Sequence, residues 1–390
     1  MTFVVLDNKD WCKGIYHNGE LHFDKLPQEL NRTWKYASYL SDRDVLYASL
    51  YTQGKSIDDV CPEHLQDEWN EKKKKLKAYH NSFVEAKVSL VDNCFFDLVP
   101  QQFLKELCQV KVKIIDSVFE NYEKPDNYEM LKDFQVVLHD ISNRELSLDL
   151  DFLKKDLMDV RKKAVLRRIG KSRNIHYNLF GTKTGRLTTM PKTFPILNID
   201  KECRSVIKAK NDLFIELDYN AAELRTLYAL SGKECPVGDI HTENAKRLGV
   251  SREEAKTQFF AWLYGSKQVD STNFEKMFDI DIFMKKYFDG STVVNPFGRK
   301  IKSDRFHSLN YLIQSTCNDI MIEQIVKISK MLQGRKTFIS FIVHDSFVLD
   351  FHKEDIEIAK QIMKVFSKNR LGNFPVNISA GKDYGTLRKI

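Results

Sequence analysis

The sequence predicts an α+β protein of several lobes, on three observations. Its 390 residues exceed what a single hydrophobic core usually organises, which gives roughly two to four lobes. Short apolar runs near 3–6, 213–217 and 337–351 read as strands, while the long intervening stretches carry apolar residues at helical spacing. The composition, 42% hydrophobic and 29% charged with 16 Gly against 9 Pro, is that of an ordered chain.

In order, residues 1–25 read as a β-hairpin, with Phe3-Val4-Val5-Leu6 and Gly14-Ile15-Tyr16 on either side and a turn at Asn18-Gly19. From about 36 to 90 the pattern is helical. It includes the basic run Lys72-Lys73-Lys74-Lys75-Leu76-Lys77, which reads first as a solvated helix face and second as a phosphate contact. Residues 101–123 and 128–171 again have helix-period apolar positions, the latter ending in Arg161-Lys162-Lys163, Arg167-Arg168, Lys171 and Arg173. The character changes near 176. A Gly/Thr-rich segment (181–189) leads to a strand, Leu213-Phe214-Ile215-Glu216-Leu217, and then to a helix from about Ala221. Ser251 and Glu254 have capping-box spacing at the start of a helix reaching about Tyr264. Finally, Thr337–Phe341 and Phe347–Phe351 predict a hairpin with His344-Asp345 at its turn.

The net charge of +7 and pI near 8.8 suit a polyanionic partner without singling one out. Seven cysteines, odd in number, scattered and without a C-x-x-C pair, indicate neither a disulfide framework nor a zinc ribbon, so a reducing cytoplasm is expected. Asp7, Lys9 and Asp10 interrupt any signal-peptide core, and no run of about 18 uncharged apolar residues occurs. No membrane partner is expected.

Two features carry chemistry. Asp218 and Asp345 each follow an apolar strand-like run, which places a carboxylate at a rigid strand end. Hard divalent ions want such oxygen ligands, and phosphoryl transfer uses two ions about 4 Å apart. An Asp closing a strand is also a common turn former. On the helix from Ser251, Arg252, Lys256, Phe260 and Tyr264 stand four residues apart and make one stripe, two cations followed by two aromatics. Such a stripe matches a nucleoside triphosphate, phosphates toward the helix start and base against the rings. An ordinary amphipathic helix would look similar.

The ordered set TGRL (184–187), DYNAAELRTLYALSG (218–232), DIH (239–241), R-x3-K-x3-F-x3-YG (252–265), Asn310-x3-Gln314, VHDS (343–346) and Gly381-Lys382-Asp383-Tyr384 resembles the motifs of family A, bacterial DNA polymerase I-like DNA polymerases. The resemblance covers about 176–390 well, 135–175 loosely and 1–134 poorly. It implies a right-handed polymerase fold, with an antiparallel palm sheet, helical fingers and a short helical thumb, following an exonuclease-like remnant. The implied divisions are 1–125 remnant, 126–175 thumb, 176–232 palm, 233–305 reduced fingers and 306–390 palm again.

Carried over residue by residue, the resemblance makes Asp218 and Asp345, with the Tyr219 carbonyl, the ligands of two Mg²⁺ ions, Mn²⁺ being a substitute. Arg252, Lys256 and His241 would hold the triphosphate, Lys256 also protonating the pyrophosphate. Phe260 and Tyr264 would line the nucleotide pocket. Glu223 would exclude ribonucleotides, although Asn220-x-x-Glu223 also fits a capping box. Arg186, Asn310 and Gln314 would test pair geometry in the minor groove, whose acceptors are common to all correct pairs, and His344 would approach the primer end. The implied partners are primer–template DNA and dNTPs.

The sequence departs from this family in places. The residue after Asp345, often Glu, is Ser346. Phe260 in place of Tyr implies poor acceptance of dideoxynucleotides. Fingers and thumb are short, which implies low processivity unless a processivity factor or other replisome protein supplies the clamp, with 161–173 the phosphate contact. Where a proofreading D-x-E would begin stands Asp7-Asn8-Lys9, and the helix at 103–111 has Leu107 and Lys111 for the family's Tyr and Asp. Lack of proofreading is therefore implied, together with a trimmed viral replication enzyme or, fitting almost as well, a gap-filling repair enzyme. The alternatives are a catalytically weak or inactive polymerase-fold DNA-binding protein, an RNA-synthesising, reverse-transcribing or lesion-bypass relative, and a nuclease using the two aspartates.

Overall fold

The computed structural model describes all residues except 7–13, 24, 91, 152–159, 170–171, 237 and 266–271. The stretch Asp7-Asn8-Lys9 and Lys171 lie outside the described residues. The chain forms two compact units, Met1–Val136 and Val137–Ile390.

The first unit opens on an antiparallel three-stranded sheet of Phe3–Val5, Ile15–His17 and Glu20–His22. The last two strands are joined by Asn18-Gly19 with φ of 48° and 82°, the left-handed pair that a two-residue hairpin requires. Residues 36–65 do not form the long helix that their pattern predicts. They make short pieces, Ser38–Leu40, Leu46–Tyr47, Ala48–Tyr51 and Ile57–Val60, because left-handed Gln53-Gly54 and then Pro62 cut the run. Two long helices follow, Gln66–Glu85 and Gln101–Asn121. The second buries Phe103, Leu104, Leu107, Cys108, Val110, Ile114, Ile115 and Val118 in the unit's core. The basic run is a paired surface face: Lys72 bonds Glu106 and Lys73 bonds Asp58, both at 2.7 Å. Cys61, Cys108, Cys235 and Cys317 are free thiols, whereas Cys94 is disulfide-bonded, so scattered spacing does not exclude a bridge.

The helical pattern at 128–171 is likewise interrupted: helix Tyr128–Ser142 gives way to the short strand Ser147–Leu148, and helix returns at Val160–Ile169.

The second unit is organised on a five-stranded antiparallel sheet, in the order Phe338–Val343, Ser346–Phe351, Leu213–Tyr219, Val376–Gly381, Arg388–Lys389. The central strand divides its two faces by alternation. Tyr219 stacks on Phe366 of the helix Ile356–Ser367 at 4.1 Å, and its hydroxyl donates to the Phe366 carbonyl at 2.6 Å. The opposite face carries Phe214, Glu216 and Asp218, aligned with Ser346 on one neighbour and Asn377 and Ser379 on the other. Phe214, packed on Phe341, closes that face at one end, and its polar residues lie at the other. The 27-residue helix Arg305–Met331 is buried along most of its middle, polar residues included. Within it, Asp319, fully buried, receives the Arg299 guanidinium at 2.6 Å. Gly185 lies against that guanidinium. With φ +83°, and with a Cβ placed there 2.6 Å from Arg299 Cζ, it has no room for a side chain. The loop bearing Arg186 is thereby packed directly on a buried ion pair.

Candidate active site

The central strand ends in Asp218-Tyr219, and the next helix, Ala222–Leu230, starts from Ala221 in a left-handed conformation (φ 53°). Asp345 lies in the two-residue turn between the strands Phe338–Val343 and Ser346–Phe351, beside His344, also left-handed (φ 53°). Non-glycine residues held in this region concentrate where geometry is over-determined, as at active sites.

A cavity of about 400 Å³ lies over these aspartates and is lined by Asp218, Tyr219, Glu223, Arg186, His241 and Lys256, together with Arg252, Phe260, Tyr264, Asp239, Asp345 and Asn377. Ten of the sequence-derived site residues thus share one space. Burial, then the charges of Glu216 and Asp345, pushes the Asp218 carboxyl up to about 6, against a 3.3 Å hydrogen bond from Asn377 Nδ2. The Asp218 and Asp345 carboxylates are oxygen donors of the kind hard divalent cations take, and the charges of Glu216 and Asp345 that oppose ionisation of Asp218 are what such a cation would relieve. Among the described residues no three His, Cys, Asp or Glu side chains group as a metal site, so backbone or substrate oxygens would have to complete any coordination.

Glu223 is only 5% exposed. It accepts from Arg186 Nη2 at 2.6 Å and from the Tyr264 hydroxyl at 3.1 Å, and burial raises its pKa. The capping-box alternative for Glu223 is not realised, because Ala221 is the cap and no side chain caps it. Arg186 also lies 3.5 Å from Asp345, so one guanidinium ties two sides of the cavity.

The helix Arg252–Leu263 starts as its sequence predicts, with the Ser251–Glu254 capping box formed in both directions. It buries Ala255, Phe259, Trp262 and Leu263, leaving the stripe of Arg252, Lys256, Phe260 and Tyr264 toward the cavity. Phe260 and Tyr264 stack with ring centroids 6.0 Å apart. Gly265 ends the helix at φ +78°, where a Cβ would strike the Phe306 ring at 2.5 Å. Arg252 is not free: Asp239 accepts from its Nε, and that bond holds the Asp239 carboxyl down at about 2. Burial lowers the His241 pKa, with the Lys256 and Arg252 cations adding to it, and its Nδ1 is buried without a hydrogen-bond partner.

Three predicted residues lie outside the cavity lining. Gln314 accepts weakly from Thr184 at 3.4 Å, and Asn310 carries a buried, unpartnered Oδ1; both are on the helix Arg305–Met331. His344 is exposed at the turn. Sequence reasoning missed the parts played by Asn377, Asp239 and Glu216. The first two sit in the cavity as hydrogen-bond partners of named residues. Only the alternation placing Glu216 on the face of Asp218 was available as a signal.

A palm-like antiparallel sheet with aspartates at its end, faced by a cation–aromatic helix, defines the class, and comparison agrees. The fold is that of a DNA polymerase domain: the polymerase domain of Pol1 from M. smegmatis, solved with DNA primer–template and dNTP, matches with a TM-score of 0.59 over 73% of this chain and 76% of that one, at 13% identity. In sequence the chain is similar to the DNA polymerase of Mycobacterium phage L5, 24% identical over 211 residues (47% of this chain, 35% of that protein). It is also similar to the thermostable DNA polymerase I of Thermus aquaticus, 27% identical over 248 residues (48% and 29%), and to that of Thermus filiformis, 26% over 296 residues (62% and 35%). The chain is thus similar to DNA polymerases of bacteria and of phage. It spans about a third of the length of the curated relatives it matches. No family model matches, and among the described residues no helix is long and apolar enough to cross a membrane.

Proposed function

We propose that the chain is a template-directed DNA polymerase that adds dNTPs to a primer 3′ hydroxyl without proofreading. The observation that carries this reading is the single cavity shared by the strand-end aspartates, the Arg252–Tyr264 stripe and the buried Glu223.

Asp218 and Asp345, with the Tyr219 carbonyl, would hold two Mg²⁺ ions, Mn²⁺ substituting, and bound divalent ions there supply activation of the attacking oxygen and charge neutralisation at the phosphate. Lys256 and Arg252 hold the triphosphate from the first half of their helix, where the dipole favours anions, and Lys256 gives its proton to the departing pyrophosphate. His241, neutral at physiological pH because its pKa is lowered, donates a hydrogen bond rather than a charge. Phe260 and Tyr264 present ring faces to base and sugar. Glu223, fixed by Arg186 and Tyr264, fills the space a 2′ hydroxyl would need, and so selects deoxynucleotides. When DNA enters, Arg186, Asn310 and Gln314 face the minor groove and His344 the primer end.

In this reading 126–175 is a short thumb, 233–305 reduced fingers, and 176–232 with 306–390 the palm. The first 125 residues are a structural remnant of an exonuclease. The apolar burial of Leu107 within its unit's core supports that last part.

Primer extension on a primed DNA template with Mg²⁺, using dNTPs or rNTPs, tests the proposal. Extension with dNTPs that disappears in Asp218→Ala and Asp345→Ala is expected. Absence of extension under every nucleotide and metal would favour a polymerase-fold DNA-binding protein instead.

A further inference from the structure

We infer that Glu216 is a positioning carboxylate beside Asp218, behind the cavity lining, and that Ser346 holds it in place. This deepens the polymerase reading and rests on it for the task of the bound cation.

Glu216 stands two residues before Asp218 on the central strand, so both project from the same face of the sheet. Ser346 is directly opposite Asp218, and Glu216 is directly opposite Val348. Ser346 and Glu216 are therefore diagonal neighbours, and the Ser346 hydroxyl lies 3.0 Å from Glu216 Oε1. It is also 3.1 Å from the Val343 carbonyl, but an ionised carboxylate is the stronger acceptor. Glutamate at both positions would set two like charges on one diagonal, which is unfavourable. The serine removes that conflict and adds a donor.

Glu216 is half-buried. Its hydrogen-bond partner among the described residues is Ser346. Glu216 acts here as a positioning residue: it deepens the negative potential at Asp218 and pins the start of the strand that follows Asp345.

The test is Mn²⁺ binding to the full chain without DNA, read from the paramagnetic resonance of the free ion, with Asp218→Ala as baseline and thermal melting in chelator alongside. Glu216→Gln should weaken the Asp218-dependent site about tenfold, the lower end of what supporting groups contribute to metal affinity, with an unchanged or raised melting temperature. Combining it with Ser346→Glu should restore binding to within about threefold, while Ser346→Glu alone should lower the melting temperature. Unchanged Mn²⁺ affinity in Glu216→Gln, a double variant no better than the single one, a Glu216→Gln protein that melts early in chelator, or no Asp218-dependent binding in the unsubstituted protein would each overturn the inference. If these dependences hold but no nucleotide is added, the polymerase reading fails and the role of Glu216 stands. Normal extension with Mn²⁺ binding indifferent to Glu216 would remove the inference alone.

Discussion

Two helices, Gln101–Asn121 in the first unit and Arg252–Leu263 in the second, are both regular and both half-hidden, yet they spend their inner faces differently. The first turns an unbroken apolar row inward, with Leu104, Leu107, Val110, Ile114 and Ile115 fully buried. The second buries only Ala255, Phe259, Trp262 and Leu263 deeply and gives an adjoining stripe of two cations and two rings to a cavity. An apolar inner face stabilises; cations and rings gathered toward one cavity beside carboxylates contribute little to the core and imply work. Substitutions in the two helices should therefore separate stability from activity.

The largest separation is expected at Lys256. Lys256→Ala should lower the rate of nucleotide addition on the order of 10²–10³-fold, as loss of one charge-stabilising donor does, with the melting temperature nearly unchanged; single-turnover extension with a melting curve reads both. Leu107→Ala should do the opposite, costing about 2–5 kcal/mol by cavity formation in urea unfolding while leaving the rate per folded molecule alone. A loss of rate there beyond the unfolded fraction would mean that this helix does more than stabilise.

A smaller effect belongs to Glu223. Glu223→Ala should raise rNTP use relative to dNTP on the order of 10–10²-fold, because a steric gate of a few atoms discriminates by a few kcal/mol. An unchanged ratio would leave Glu223 as a tether for Arg186 and Tyr264 only.

The smallest effect is in the site itself. Asp218 is raised to about 6 in the fold, above the ordinary carboxylate range near 4. Its ionised form is therefore disfavoured by folding, and the penalty is full above about pH 6 and gone below about 4. Without divalent ions, Asp218→Asn should stabilise the protein by on the order of 1–2 kcal/mol at pH 7–8, with the gain fading toward pH 4 in melting curves. A destabilised variant at pH 8 would contradict the charge excess described here.

Much of this was legible where a local rule governs. Leu213–Tyr219 alternates, Ser251 and Glu254 cap, Asn18-Gly19 turns a hairpin, and the structure has each of them. Apolar spacing failed at 36–65, where it persists through Gly54 and Pro62 although the backbone cannot remain helical. Of the cavity, the residues fixed by spacing along one element were legible. What was hidden depends on pairing across strands and helices: Asn377 reaches Asp218 only because two strands align there, Asp239 reaches Arg252 across two helices, and Ser346 meets Glu216 on a diagonal.

The most direct test of the central claim is single-nucleotide addition on four primed templates differing only in the first unpaired base, with each dNTP supplied alone. The account predicts that each template directs addition of its complementary dNTP in the presence of Mg²⁺ and that Asp345→Ala adds none. Addition indifferent to the template base, or addition that survives Asp345→Ala, would contradict it.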